Sequence, residues 1–153
     1  MSSDETDLIK LYSARILELA VDIPRHGRLE NPDVTVKRRA PLCGSTVTVD
    51  IITDGTKILD YAAEVKACAL GQAAASLVAS GIIGLSIEDI HNARDALENM
   101  LKSNGPAPSA PFKELEVLRP ARDYKNRHAS IMLALEAASE AMDQALKGLR
   151  KAD

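Results

Sequence analysis

Aromatic side chains are scarce in this chain. They make up 3% of its 153 residues, with one phenylalanine, Phe112, and no tryptophan. Single-strand nucleic-acid binders stack bases on aromatic platforms, and those are largely missing. Positive charge is not in excess either: the formal charge is −3 and the pI is near 5.6. That balance argues against nonspecific binding to nucleic acid or to an anionic membrane. Long hydrophobic runs are absent. The most apolar stretch, residues 67–85, is rich in Ala, Gly and Ser and lacks the bulk of a spanning helix. Residues 1–7 are polar and acidic, without the basic and apolar regions of a secretory leader. Two cysteines, Cys43 and Cys68, are too few for a disulfide-stapled scaffold. No solenoid-length repeat is visible, and no H-E-x-x-H, C-x-x-C, Walker loop or G-x-S-x-G marks a hydrolytic or redox enzyme. The expectation is a soluble cytoplasmic protein with reduced thiols, not an enzyme, with neither nucleic acid nor membrane as partner.

What is there is a globular composition, 46% apolar and 27% charged, on the scale of one domain spanning 1–153. Leu8, Leu11, Tyr12, Ile16, Leu19 and Ala20 fall on one helical stripe and predict a helix over about 6–21, capped by Asp4 or Thr6 and stopped by Pro24. A loop over 24–29 (PRHGRL) leads to a strand over 33–39, where Val34 and Val36 alternate with polar neighbours.

The clearest element is a hairpin, 45–53 and 57–66 around Asp54-Gly55-Thr56. Setting Thr53 opposite Lys57 pairs Val47 with Ala63, Val49 with Tyr61 and Ile51 with Leu59 on one apolar face. A one-residue slip would put Asp60 on that face. The same register pairs Cys43 with Ala67 and brings Cys43 and Cys68 together at the open end of the hairpin. Three helices are expected after it, over about 69–79, 86–100 and 126–150. The second opens on a Ser86/Asp89 capping box. Residues 103–111 (SNGPAPSAP) read as a surface connection. The resulting fold class is α+β, a small three-stranded antiparallel sheet with helices packed on one face.

Two cysteines converging at a hairpin mouth have three readings: small buried core residues, a disulfide, or reactive or metal-binding thiolates. Cys68 favours the third, since it precedes a helix whose N-terminal dipole favours an anion. Cys43 lies in a Pro41-Leu42-Cys43-Gly44 turn, where glycine lets a ligand approach the backbone. The run Lys37-Arg38-Arg39 just before it is either a solvated strand end or a patch that steers an acidic partner and depresses the Cys43 thiol pKa. His26 sits in the Arg-rich loop, and His91 on a polar helix face.

These residues resemble a known family. Pro41-Leu42-Cys43-Gly44, a hairpin, and then Cys68-Ala69-Leu70-Gly71-Gln72-Ala73 are similar to the P-x-C-G-D and G-C-A-I-S-x-A-S-x-S motifs of the NifU/IscU/SufU iron–sulfur scaffold family. Residues 24–29 resemble its N-P-R-x-x-G-R-L loop, and Arg127 with Leu133-Ala134 its R-x-x-C-A-x-L-A helix. The spacing from Cys68 to the last helix is closer to SufU. The resemblance implies a single NifU-like N-terminal scaffold domain. It also implies a role in iron–sulfur cluster assembly, in which a cysteine desulfurase supplies sulfur and acceptor proteins receive the cluster.

Family members bind a [2Fe–2S] cluster, or zinc, through three cysteines plus an aspartate or histidine. Here Ser45 replaces the aspartate of C-G-D. Ser130 in one register, or Ala129 in another, replaces the third cysteine. The ligand set that the resemblance implies is therefore Cys43 and Cys68, with His128 as the weaker third, holding iron, a transient [2Fe–2S] cluster or zinc. Two further readings stand beside this one: a persulfide acceptor for the desulfurase, and an interaction paralogue that binds no metal. The oligomeric state stays open, including the pooling of cysteines by two subunits.

Overall fold

The structure, a computed structural model, describes residues 11–152. Helix α1 (Ala14–Val21) is followed by strands β1 (Val34–Arg39), β2 (Thr46–Thr53) and β3 (Ile58–Lys66). Helices α2 (Ala69–Gly81) and α3 (Ile87–Ser103) come next, then a 3₁₀ segment (Lys113–Asp123) and the long helix α4 (Lys125–Ala152). The strands form one antiparallel sheet in the order β1-β2-β3. Helix α4 lies across β1 and β2, α2 packs between α1 and α4, and α3 lies against α4. The expected α+β class, with its three-stranded antiparallel sheet and helices, holds. No helix among the described residues is long and apolar enough to cross a membrane.

Local signals explain most element ends. Ser13 caps α1, accepting from Ile16 N at 3.3 Å; Leu11 is also helical, so the expected stripe is interrupted at Tyr12 and Ser13. Leu8 and the expected caps Asp4 and Thr6 lie outside the described residues. Ser86 and Asp89 form the expected capping box at the start of α3. Asn104, with φ 52°, closes its end. The 3₁₀ segment is new: Pro120 sits within it, while Leu115, Leu118 and Ala121 fill the core from it.

The hairpin register differs from the expected one by two residues. Val47 pairs with Val65, Val49 with Ala63 and Ile51 with Tyr61. The cause lies in the turn. Asp54 Oδ1 accepts from the amides of Thr56 and Lys57, both at 2.8 Å, and Thr53 Oγ1 donates to Lys57 O at 2.6 Å. The ladder then steps from Ile52–Asp60 to Thr53–Ile58, a bulge that leaves Leu59 unopposed. Leu59 therefore turns outward, 53% exposed, and Ile58 takes the core place expected of it. A two-residue slide keeps the alternation of faces, so Val47, Val49 and Ile51 stay buried.

The second face of the sheet is closed by the 24–29 loop. Gly27 N donates to Ala63 O at 2.9 Å, and Ala63 N donates to Arg25 O at 3.1 Å. Beneath the loop lies Asp50, fully buried. Its carboxylate accepts from Arg28 Nε at 2.7 Å and Arg28 Nη2 at 3.1 Å, from Leu29 N at 3.0 Å and from Thr35 Oγ1 at 2.6 Å. Burial pushes this carboxyl up, but the bonds from Arg28, Thr35 and Leu29 outweigh it and hold the group below its ordinary value.

Asp50→Asn removes the charge and one acceptor while keeping the volume. It should lower stability by about 2–3 kcal/mol near pH 7 in urea titration. Because the native carboxyl is depressed, the stabilisation is complete above its unfolded pKa of about 4. It is lost as pH falls through the lower native value. Wild type and variant should therefore converge in acid; a gap that persists there would contradict the assignment.

Candidate functional site

Three segments meet at one end of the sheet: the β1–β2 turn, the start of α2 and the second turn of α4. The turn is closed by Ala40 N donating to Ser45 O at 2.8 Å and Gly44 N donating to Ala40 O at 2.9 Å. Gly44 has φ +73°, a conformation that glycine adopts without strain. This pushes Cys43 outward, where it is exposed, and turns Ser45 inward, where it is buried. Cys68 is the N-cap residue of α2 and is partly buried. Ser130, on α4, is buried.

The four side chains form one chain of contacts. Cys43 Sγ lies 3.2 Å from Ser45 Oγ, Ser130 Oγ donates to Ser45 Oγ at 3.2 Å, and Cys68 Sγ lies 3.6 Å from Ser130 Oγ. The two cysteines are thus brought to one site, joined by two serines rather than paired across the hairpin. The ladder ends at Thr46–Lys66 and never reaches Cys43. Contact with Cys68 and Ser45 selects Ser130, not Ala129, as the residue facing the site.

The bonds converge on Ser45: Ser130 Oγ and the Cys43 thiol both donate to its Oγ, which leaves the Ser45 hydroxyl proton free to turn to Cys43 when the thiol ionises. That hydroxyl and the Ser45 amide hold the Cys43 thiol below its ordinary value; burial opposes them, and Ser130 adds a smaller lowering. The basic run is not the cause. Arg38 points to α4, 3.6 Å from both Glu136 and Glu140, although Arg39 does lie over Gly44.

His128 does not join the site. Its Nε2 lies 3.0 Å from Ala121 O and 3.1 Å from Arg122 O, and its ring lines a separate groove with Glu98, Lys125 and Met132. Two residues apart on a helix means about 200° of rotation, so His128 and Ser130 face opposite ways. The expected third ligand is corrected on that ground. His26 is also engaged in the fold, its Nε2 accepting from Val65 N at 3.4 Å. His91 Nε2 lies 3.2 Å from Asp143 Oδ1. Among the described residues no group of three or more His, Cys, Asp and Glu is placed to hold a metal ion.

Gly71 was not singled out by its sequence context. A Cβ there would sit 2.3 Å from Ser130 Oγ and 2.9 Å from the Ala67 side chain. Its lack of a side chain is what lets α2 and α4 approach at the site. The signal was present, because the family motif has serine at that position.

Comparison with known proteins finds that residues 11–144 match the family model described as the NifU-like N terminal domain. A nitrogen-fixing NifU-like protein (N-terminal) from Brucella abortus superposes with a TM-score of 0.87 at 43% identity, covering 93% of this chain and 98% of that one. The iron–sulfur cluster assembly scaffold protein IscU of Thermotoga maritima is 25% identical, over 86% of this chain and 92% of its own length. The structure of a putative iron–sulfur cluster assembly scaffold protein for the SUF system from Fervidobacterium islandicum shares the fold. Its TM-score is 0.77 at 23% identity, covering 88% of this chain and 98% of that one.

The Ser45–Cys43 contact makes a measurable demand. Ser45→Ala should slow Cys43 alkylation by iodoacetamide severalfold at pH 7 and move its half-reaction point to higher pH. An unchanged alkylation profile would show that the hydroxyl does not stabilise the thiolate.

Proposed function

The chain belongs to the NifU-like N-terminal domain family, and from that premise we propose that it is an iron–sulfur cluster assembly scaffold. It carries iron or a [2Fe–2S] cluster as cargo on Cys43 and Cys68 rather than turning over a substrate. The observation that carries this reading is the convergence of both thiols on the buried Ser45–Ser130 pair. Thiolates are soft ligands suited to iron–sulfur chemistry. Cys43 is exposed and Cys68 partly so, so cargo enters and leaves without unfolding. In this role a cysteine desulfurase supplies the sulfide and acceptor proteins take the finished cluster, within one scaffold domain.

The donor set fits this cargo only in part. A cluster held by protein thiolates takes four, and one chain offers two. Ser45 and Ser130 occupy the other two positions with hydroxyls, whose protons are far harder to remove than a thiol's. Retention by a single chain is therefore weak, which suits a carrier and does not suit a permanent cofactor site.

Reconstitution without oxygen, with iron and sulfide measured per chain, tests the proposal. Cys43→Ser and Cys68→Ser should each cut bound iron by about tenfold or more, with an unchanged circular dichroism spectrum. Iron retained in both variants would sink it.

One observation favours a second reading, sulfur acceptance. Cys43 is exposed and its thiol is lowered, the character of a nucleophilic thiol. Incubation with a cysteine desulfurase and cysteine should then add the mass of one sulfur atom to Cys43. The absence of that adduct would remove this reading and leave cargo binding alone.

A further inference from the structure

We propose that Cys68 is the resolving thiol for sulfur carried on Cys43: it expels that sulfur as sulfide and leaves a Cys43–Cys68 disulfide. The inference rests on the sulfur-acceptance reading and adds the step that follows it. The two thiols are unequally placed. Cys43 stands exposed on a turn anchored by the Ala40–Ser45 and Gly44–Ala40 backbone bonds, so a sulfur donor reaches it from outside. Cys68 is partly buried and fixed at the start of α2, where its carbonyl accepts from Gln72 N at 2.9 Å. It meets the site from within, against Ser130. The hydroxyls that the two sulfurs touch, Ser45 and Ser130, are themselves 3.2 Å apart. These are the chain's two cysteines, so no other side chain of the same molecule can close a disulfide on Cys43.

Which sulfur is attacked decides the outcome. Displacement at sulfur runs in line, the incoming thiolate opposite the leaving group. A persulfide on Cys43 carries its outer sulfur on the solvent side, where the donor left it. Attack by Cys68 from within therefore meets the inner sulfur, Cys43 Sγ, and drives the outer one into solvent. The Cys43–Cys68 bond forms as the bond to the outer sulfur breaks, and the departing sulfur keeps the bonding pair. The proton has a route as well. Ser130 gives its own hydroxyl proton to Ser45, so the Cys68 thiol is the donor in its contact with Ser130. Its proton passes along Ser130 and Ser45 to the Cys43 side, where the departing sulfur takes it. One Cys43 perthiolate and one Cys68 thiol thus give one disulfide and one HS⁻. Over loading and release together, the two thiols are oxidised and the sulfane sulfur is reduced, so the release needs no external reductant. The reaction that must follow is reduction of the disulfide by a dithiol.

The full chain should be loaded without oxygen by a cysteine desulfurase and cysteine, then freed of both by rapid chromatography. Mass spectrometry and a sulfide assay follow the sulfur from there. The adduct on Cys43 should decay as an equal amount of sulfide appears, leaving a chain about 2 Da lighter than the reduced protein, the mark of one disulfide. The rate should not change with protein concentration. Cys68→Ser and Cys68→Ala should both keep the adduct on Cys43 and release sulfide about tenfold more slowly or less. Equal release from wild type and both variants would overturn the inference and leave sulfur acceptance intact. Sulfur appearing on Cys68 with no sulfide freed would overturn it too, as would a rate that rises with protein concentration. Failure of wild type and both variants to take up any sulfur would remove the acceptance reading and this step with it.

Discussion

The close approach of α2 to α4 at Gly71 is the constraint on which the site depends. With a Cβ at that position, Ser130 Oγ would lie 2.3 Å away and Ser130 O 3.2 Å away, so the helices would have to separate. Any separation moves Ser130 from Cys68 and breaks the contact chain that ends at Cys43. The rest of α2 is built for the same proximity: Ala73, Ala74, Ala75 and Ser76 are buried where larger side chains would hold the helices apart. On α4, Ala134, Ala137, Ala138 and Ala141 answer them. Packed interiors have little room to absorb even one methylene. The small-residue pattern therefore fixes where Cys68 sits relative to Ser130.

The opposite face of the sheet is held by a different force. Asp50 is a buried carboxylate whose acceptor sites are met by Arg28, Leu29 and Thr35. An unmet carboxylate at that depth would be costly. This network ties the 24–29 loop to β1 and β2, and the Arg25 and Gly27 backbone bonds tie it to β3. Helices fix the sheet from one side and an ion pair fixes it from the other. The β1–β2 turn is then an exposed loop on a rigid frame, an arrangement common at binding sites.

Much of this was legible in the sequence, for reasons that can be named. The hairpin's apolar face survived a two-residue error because side-chain alternation has period two. The Ser86/Asp89 box is a local signal that tertiary context left alone. What was not legible depends on single side-chain bonds. The Asp54 and Thr53 bonds shift the ladder and turn Leu59 out, and no periodicity records them. The 3₁₀ segment hides because Pro120 and charged neighbours read as loop. The meeting of both cysteines was readable from the hairpin, although the link turned out to run through Ser45 and Ser130. His128 was the avoidable error: once Ser130 faces the site, helix geometry alone turns residue 128 away from it.

Serine in place of the family's aspartate at 45 and of its third cysteine at 130 changes one property while keeping another. Its hydroxyl is close to a thiol in shape and hydrogen-bonding capacity, so the four positions still find one another: Cys43 to Ser45, Ser45 to Ser130, Ser130 to Cys68. What it lacks is the acidity that makes an anionic ligand near neutral pH. The four side chains remain in contact, with the two thiols as the ionisable groups among them. The two hydroxyls instead organise the two thiols, Ser45 by accepting from Cys43 and Ser130 by its contact with Cys68. With the serines buried and bonded inward, the cysteines are the donors left facing out. The chemistry of the site is thereby directed away from the chain's own interior and toward whatever a second molecule brings.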